Sequence, residues 1–200
     1  MIHTFGDSHA SNTISGWKDC NDIITHHLGA KLCYTFGREI LNLCDIRKYD
    51  INDGDSLIFC FGEIDCRCHV HKHITATTPY RNVIDSIIDS YITAININIY
   101  NSDINFKNIC IYNVVPPIER YNTYENIEQP YLGSDQERKQ YVLYFNQILR
   151  EKCNENNWVF FDIYNKYIDN NGYLNKQLSD GNVHIKNGIH IQEFITNNLM

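Results

Sequence analysis

The chain has 200 residues, of which 24 are acidic and 17 are basic, so its formal net charge is −7. This charge disfavours nucleic acids and anionic membranes as partners, because both attract clustered lysine and arginine. A chain of this length with 43% hydrophobic residues predicts one globular domain over residues 1–200, and no run of about 18 apolar residues could span a bilayer.

Apolar runs predict the first two strands. Residues 2–5 form one run and residues 31–36 form the next, which Gly37 closes. The segment between them, 11–27, is predicted to be partly helical. A helical stretch is expected to follow the second strand as far as about residue 46.

The middle of the chain contains the clearest strand, a continuous apolar run at 56–61. The spacing of apolar residues over 80–98 predicts an amphipathic helix. The next strand, 108–115, is stopped by two prolines, since proline cannot donate to a sheet ladder. The long polar loop at 118–133 fits either a lid over a binding site or a mobile surface excursion.

In the last third, Ser134 with Glu137 three residues later predicts the start of a helix that runs to about residue 154. A fifth strand is predicted at 158–161 and a final helical segment at 185–197.

This alternation predicts the fold class. Strands that alternate with helices, with no Asn-Gly hairpin turn between neighbours, favour right-handed crossovers and a parallel sheet. The strands also lack alternation of apolar and polar residues, as expected when helices cover both faces. We therefore expect an α/β fold with three layers and a five-stranded parallel sheet.

Polar residues follow the predicted strands, at the edge where open parallel sheets bind ligands. Ser8 follows the first strand, Gly37 the second and the segment 62–69 the third, while Asp180 and His184 lie near the end of the chain. A serine, a backbone donor for an oxyanion, and a histidine with an aspartate to orient it are what acyl transfer requires.

At these residues the sequence resembles the SGNH (GDSL-type) hydrolase family. Residues 6–10, Gly-Asp-Ser-His-Ala, resemble its first block, Gly37 its second, 62–65 its third and 180–184 its last. The resemblance covers nearly the whole chain in order and spacing. It implies a compact, flavodoxin-like fold and ester hydrolysis without a cofactor.

The resemblance also implies roles for these residues. Ser8 would be the nucleophile, His184 the base and Asp180 the residue that orients it, while the amides of Ser8 and Gly37 would bind the oxyanion. The wider string Gly-Glu-Ile-Asp-Cys-Arg-x-His resembles a subgroup that handles glycans and surface polysaccharides. That string adds the candidates for oxyanion or substrate binding, which are Gly62, Glu63, Asp65, Arg67 and His69.

Two features depart from the family pattern. Ile64 stands where the family has an asparagine that donates to the oxyanion. Either Arg67 supplies the missing donor or only two donors remain; alternatively, Arg67 pairs with Glu63 and shapes the pocket. The candidate aspartate precedes the histidine by four residues rather than three, which a bulged turn could absorb. His190 is a competing base, but it has no aspartate three or four residues earlier.

The eight cysteines predict reduced thiols, because the N-terminus lacks the features of a signal peptide and a cytoplasmic location is expected. In an extended chain His69, His71 and His73 would share one face, which suits zinc. However, no distant ligand pair is visible in the sequence and the Cys-x-Cys-His spacing is tight, so no metal is predicted. Cys66 as a nucleophile would need a base of its own.

The predicted function is that of a serine esterase that removes an acyl group, with O-acetyl favoured, from a carbohydrate. Dinucleotide-binding, P-loop and Gly-x-Ser-x-Gly motifs are missing from the sequence. The expected partner is therefore a small-molecule or glycan ester. Two alternatives stay open: an O-acetyltransferase on surface polysaccharide that uses the same triad, and a non-catalytic glycan- or metal-binding module.

Overall fold

The computed structural model describes residues 1–120 and 126–200. Within them, five strands form one parallel sheet in the order β2-β1-β3-β4-β5. The strands are β1 (Ile2–Gly6), β2 (Ile23–His27), β3 (Ser56–Cys60), β4 (Asn108–Tyr112) and β5 (Val159–Phe161). This is the strand order of flavodoxin-like folds, and it confirms the predicted α/β class.

Helices cover both faces of the sheet. They are α1 (Cys33–Glu39), α2 (Val70–Lys72), which continues a π-helical turn at Asp65–His69, α3 (Tyr80–Ser102), α4 (Asp135–Asn156) and α5 (Ile189–Asn198). Leu57 and Phe59 of β3 pack into one core with α1, α3 and α4, whereas Ile58 and Cys60 pack into a second core with α5. Alternate side chains of β3 thus point to opposite faces of the sheet, and each face packs against a layer of helices.

Four of the five predicted strands are confirmed, as are the long helices α3 and α4. The start of α4 is a capping box in which the Ser134 hydroxyl accepts from the Glu137 amide at 3.2 Å and the Glu137 carboxylate accepts from the Ser134 amide at 2.8 Å. None of the helices in the described part of the chain is both long enough and apolar enough to cross a membrane.

The prediction for the second strand is wrong. Residues 31–36 do not form a strand, because α1 begins at Cys33, and the strand lies earlier, at Ile23–His27. The expected helicity over 11–27 is reduced to a 3₁₀ turn at Gly16–Asp19. The start of α1 is fixed by a distant residue: the Asp65 carboxyl group accepts from the Cys33 and Tyr34 amides at 2.7 and 3.1 Å.

The strand order creates a crevice at the carboxyl ends of β1 and β3. From β1, the chain crosses to β2 on one side, whereas β3 lies on the other, so the connections diverge there. Gly6 ends β1 in close contact with β3, since a Cβ at Gly6 would lie only 2.0 Å from the Cys60 carbonyl oxygen. Glycine is therefore required where the chain enters the crevice.

Candidate active site

Ser8 lies just beyond the carboxyl end of β1, on a short 3₁₀ turn (Ser8–Ala10). The Asp7 carboxyl group caps this turn by accepting a hydrogen bond from the His9 amide at 2.8 Å. Trp17 holds the turn as well, because its Nε1–H donates to the His9 carbonyl at 2.6 Å. The turn leaves Ser8 partly exposed at the crevice.

Asp180 and His184 lie on one tight loop, which we call the His184 loop (residues 180–184). A backbone bridge between Ser179 and Ile185 closes it. The Asp180 amide donates to the His184 carbonyl at 3.0 Å, and the Asn182 amide donates to the Asp180 carboxylate at 2.8 Å. The loop therefore accommodates the four-residue spacing and still brings the two side chains into contact.

Ser8, His184 and Asp180 form a continuous row of hydrogen bonds. Ser8 Oγ lies 2.8 Å from His184 Nε2, and His184 Nδ1 lies 2.7 Å from the Asp180 carboxylate. Burial opposes ionisation of Asp180, but hydrogen bonds from His184 and the Asn182 amide outweigh it and lower the pKa of Asp180. An ionised Asp180 holds the proton on Nδ1, which leaves the Nε2 lone pair directed at the serine hydroxyl.

His190, the competing base, lies elsewhere. It belongs to α5, where its Nδ1 is 3.0 Å from Glu193 Oε2 and its ring packs edge-on against Tyr167. The structure thus brings His184, and not His190, to Ser8.

Glu63 and Arg67 form a buried ion pair beyond the end of β3. Arg67 Nε and Nη2 donate to the two carboxylate oxygens of Glu63 at 2.8 and 3.1 Å, and Nη1 donates to the Gln129 carbonyl at 2.5 Å. Burial opposes the charge on Glu63, but the adjacent guanidinium lowers the pKa of Glu63 to about 2. Of the two interpretations of Arg67, the structure shows the ion pair.

His9 connects this ion pair with the histidine of the row. Its ring centroid lies 4.9 Å from that of His184, and its Nε2 lies 3.8 Å from Glu63 Oε2. The side chain is buried, and burial lowers the pKa of His9. Burial thus favours a neutral His9 ring, which packs against the ring of His184.

Gly62 and Asp65 shape the site without facing it. Gly62 has a φ of +115°, and a Cβ there would lie 2.7 Å from Val114 Cγ2. Asp65, expected among the residues that bind the substrate or oxyanion, is fully buried and caps α1 instead. Burial raises the pKa of Asp65 to about 7. Ile64 is also buried, and its aliphatic side chain has no hydrogen-bond donor.

The prediction that Gly37 supplies an oxyanion donor is wrong. Gly37 lies within α1, where a Cβ would lie 2.8 Å from the Ser90 Cβ of α3. The error follows from the misplaced second strand. The glycine that follows β2 is Gly29, with a φ of +85°, and the signal that could have identified it is the His26-His27-Leu28-Gly29 string at the true strand end.

The segment 66–73 does not present its histidines on one extended face, because it is largely helical. His69, expected in the pocket, packs instead against Tyr34 and His73, with centroid distances of 4.6 and 4.4 Å. Across residues 1–120 and 126–200, no three His, Cys, Asp or Glu side chains are placed to hold a metal ion. Cys66 is 1% exposed and burial raises its thiol pKa, which disfavours a nucleophilic thiolate.

Sequence reasoning missed Tyr131. It lies in the predicted polar loop 118–133, of which residues 121–125 fall outside the described part of the chain. The Tyr131 hydroxyl donates to Asn182 Oδ1 at 3.1 Å, so this segment contacts the His184 loop. No sequence motif marks the contact, and Tyr131 is one of three tyrosines in the loop, so nothing in the sequence singles it out.

Sequence comparisons identify no relatives: no protein-family profile matches the chain, and no curated protein matches it significantly. Comparison with solved structures does find similar folds. A GDSL-like lipase from Bacteroides thetaiotaomicron superposes with a TM-score of 0.65 at 12% identity, over 98% of this chain and 85% of that one.

Two esterases have the same fold. An aryl esterase from M. smegmatis matches with a TM-score of 0.62 at 13% identity, and the match covers 99% of each chain. A catalytic mutant of an acetylxylan esterase from Geobacillus stearothermophilus matches with a TM-score of 0.57 at 10% identity, over 98% of this chain and 92% of that one.

Proposed function

We propose that this chain, which has the three-layer α/β fold of the SGNH (GDSL-type) hydrolases, is a serine esterase that removes O-acetyl groups from a carbohydrate. One observation carries the proposal: Ser8, His184 and Asp180 are joined by hydrogen bonds of 2.8 and 2.7 Å. This row lies at the crevice where open α/β sheets bind ligands.

In the proposed reaction, Ser8 Oγ attacks the ester carbonyl carbon while its proton passes to His184 Nε2. The tetrahedral intermediate collapses with cleavage of the ester C–O bond, and the same proton moves to the sugar oxygen that leaves. Water then attacks the acyl-serine and gives a proton to Nε2, which returns it to Ser8 as the acid departs. Asp180 stays ionised and stabilises the imidazolium in both steps.

We assign the oxyanion donors to the Ser8 amide and to the turn at Gly29. β1 and β2 pair as far as Gly6 and His27, and Ser8 and Gly29 each follow the end of their strand by two residues. A Cβ on Gly29 would meet no atom within 4 Å, so the Cβ side of this glycine is not covered by the described residues. Ile64 offers no third donor, and one such donor is worth about 10²–10³ in rate. We therefore expect slower turnover than a three-donor site would give.

Three features support a carbohydrate ester as the substrate. The cleft beside the His184 loop combines an aromatic ring with hydrogen-bonding side chains, a composition suited to sugars; it is lined by residues that include Asp169, Tyr173, Lys176, Ser179 and Asn182. One of the proteins with the same fold is an acetylxylan esterase. The net charge of −7 favours a neutral or cationic sugar over an anionic one.

The test is covalent labelling by a fluorophosphonate, combined with acetate release from an acetylated xylo-oligosaccharide. We expect the wild-type protein to be labelled once and to release acetate, and Ser8→Ala to do neither. Ser90→Ala, which changes an exposed serine on α3, serves as the matched control and should behave as the wild type.

Other outcomes of this experiment would favour other assignments of the nucleophile or of the function. Labelling that persists in Ser8→Ala would contradict the assignment of the nucleophile. A folded wild-type protein that is neither labelled nor active would support the non-catalytic module instead. Transfer of acetyl to an added acceptor sugar, in preference to water, would identify an O-acetyltransferase.

A further inference from the structure

Tyr131 lies between the end of β3 and the His184 loop. Its side chain is 3% exposed, and two guanidinium groups lie over its ring, with Arg67 Cζ and Arg138 Cζ at 5.4 and 5.2 Å from the ring centroid. Both arginines are themselves buried. The ring is therefore held by cation–π contacts in a desolvated setting, where such contacts are strongest.

The backbone next to Tyr131 is attached to the same arginine. The Leu132 amide donates to the Arg67 carbonyl at 3.0 Å, and Arg67 Nη1 donates to the Gln129 carbonyl at 2.5 Å. Arg67 is in turn fixed by both oxygens of Glu63. The segment 129–132 is thus bound to Arg67 by two backbone hydrogen-bonding groups, the Leu132 amide and the Gln129 carbonyl.

The Tyr131 hydroxyl makes the other connection. It donates to Asn182 Oδ1 at 3.1 Å, and the Asn182 amide donates to the Asp180 carboxylate that orients His184. The Asn182 side chain therefore accepts a hydrogen bond from Tyr131, while its backbone amide donates one to Asp180. Gly181 is exposed, with no atom within 4 Å of where its Cβ would be, whereas Val183 is buried in the second core. The loop is therefore packed on the Val183 side of Asn182 and open on the Gly181 side, where the Tyr131 hydroxyl supplies a contact.

We infer that Tyr131 is a positioning residue for the proposed reaction: through its hydroxyl it fixes the His184 loop relative to the Glu63–Arg67 pair. The inference rests on the proposed function. Tyr131 transfers no proton and contacts neither reacting atom. It acts through Asn182, whose amide must face the Asp180 carboxylate for His184 to stay directed at Ser8. Displacements of about 1 Å at such a site cost up to about 10²-fold in rate.

The test is a double-mutant cycle with Tyr131→Phe and Asn182→Ala, measured as kcat and KM per titrated active site. Tyr131→Phe keeps the ring and its cation–π contacts and removes only the hydroxyl. Loss of one hydrogen bond predicts a fall in kcat of about threefold to tenfold, with KM unchanged. In kcat, the double variant should be no slower than the slower single variant, because both changes break the same contact. KM is compared only between the wild type and Tyr131→Phe, since Asn182 also lines the cleft proposed for the sugar. Tyr100→Phe, at an exposed tyrosine, is the control.

A structural readout makes the inference testable independently of turnover. In Tyr131→Phe, amide hydrogen exchange should accelerate over residues 179–185 and remain unchanged in β1 and β3. Wild-type kcat in Tyr131→Phe, additive effects in the double variant, or unchanged exchange would each overturn the inference. If the wild type itself is inactive and unlabelled, the proposed function fails, and the exchange measurement still decides whether Tyr131 fixes the loop.

Discussion

Three carboxyl groups that follow β1 and β3 are buried, and their pKa values do not all shift in the same direction. Glu63 stays ionised because Arg67 pairs with both of its oxygens. The hydrogen-bond partners of Asp65 within residues 1–120 and 126–200 are backbone amides, and burial raises its pKa to about 7. Burial raises the pKa of Asp7 well above its usual range, since one oxygen accepts a single amide and the other has no partner among the described residues. Burial thus favours the neutral form of the carboxyl group that adjoins Ser8, and a neutral form places no fixed negative charge beside the developing oxyanion.

Asp65 provides a prediction about the pH dependence of stability. Its folded pKa of about 7 lies above its ordinary value of 3.8, so the stability it contributes is complete below about pH 4 and is lost as the pH rises towards 7. Asp65→Asn removes this titration. Between pH 4 and 7 the free energy of unfolding should then fall less steeply in the variant than in the wild type. The difference between the two slopes is expected to reach about 1.4 kcal/mol per pH unit, as measured by urea unfolding at several pH values.

The control for this prediction is Asp50→Asn, at an exposed aspartate. It should leave the pH slope as in the wild type. An Asp65→Asn variant whose slope equals that of the wild type would show that Asp65 is ionised throughout this range, with the two amides at the start of α1 compensating for burial.

At the scale of elements, the strands with a continuous apolar run could be predicted from sequence and β2 could not. β3 is covered on both faces, so all five of its residues are buried. β2 lies at the edge of the sheet, with Ile24 and His27 exposed, and it contains two histidines. An edge strand needs less apolar surface, so the apolar run at 31–36 was the stronger signal. That run is apolar because α1 packs against α3.

Site residues could be assigned from sequence where the strand before them was recognised. Residues that follow β1 and β3 could be assigned, because those strands were recognised, and the His184 loop lies in a short polar stretch with an Asp and a His. Gly37 was assigned wrongly because the strand before it was misplaced. Tyr131 could not be assigned, since its contact with Asn182 joins segments that are 51 residues apart and neither is a regular element.

The position of Gly37 gives a prediction for α1. Alanine favours a helix by about 1 kcal/mol over glycine, but a Cβ here would lie 2.8 Å from Ser90 Cβ and 3.1 Å from the Tyr91 backbone nitrogen. Such overpacking costs about 1–3 kcal/mol. Gly37→Ala should therefore lower the Tm while kcat per titrated active site stays at the wild-type value. Thr35→Ala in the same helix is the control, and a loss of kcat confined to Gly37→Ala would restore the oxyanion role.

At the scale of the whole molecule, the two ends of the chain must meet for the site to form. Ser8 and His184 are separated by 176 residues, so their contact depends on how the C-terminal segment docks. The docking surface is the 3₁₀ turn Gly16–Asp19, whose Trp17 also donates to the carbonyl of His9 in the Ser8 turn. The same turn therefore contacts the Ser8 turn through Trp17 and the C-terminal segment through Asp19.

The docking of the C-terminal segment on this turn can be tested at Gly188. Its amide donates to the Asp19 carboxylate at 2.9 Å, and a Cβ at Gly188 would lie 1.9 Å from the Gly16 carbonyl oxygen. Because the atoms nearest to this Cβ, the carbonyl oxygen and carbon of Gly16, belong to the backbone, Gly188→Ala must separate α5 from the turn. His184 lies only four residues before Gly188. We expect the free energy of unfolding to fall by about 1–3 kcal/mol and kcat to fall by about tenfold or more.

Gly54→Ala is the control that separates the effect of displacing the His184 loop from the effect of lower stability. Gly54 lies in the turn before β3 with a φ of +86° and no atom within 4 Å of a Cβ, so alanine there costs about 1–2 kcal/mol of backbone strain away from the site. At a temperature where both variants are fully folded, Gly54→Ala should keep wild-type kcat and Gly188→Ala should not. Equal kcat in the two variants would show that the His184 loop holds its place on Ser8 without help from the docking of α5.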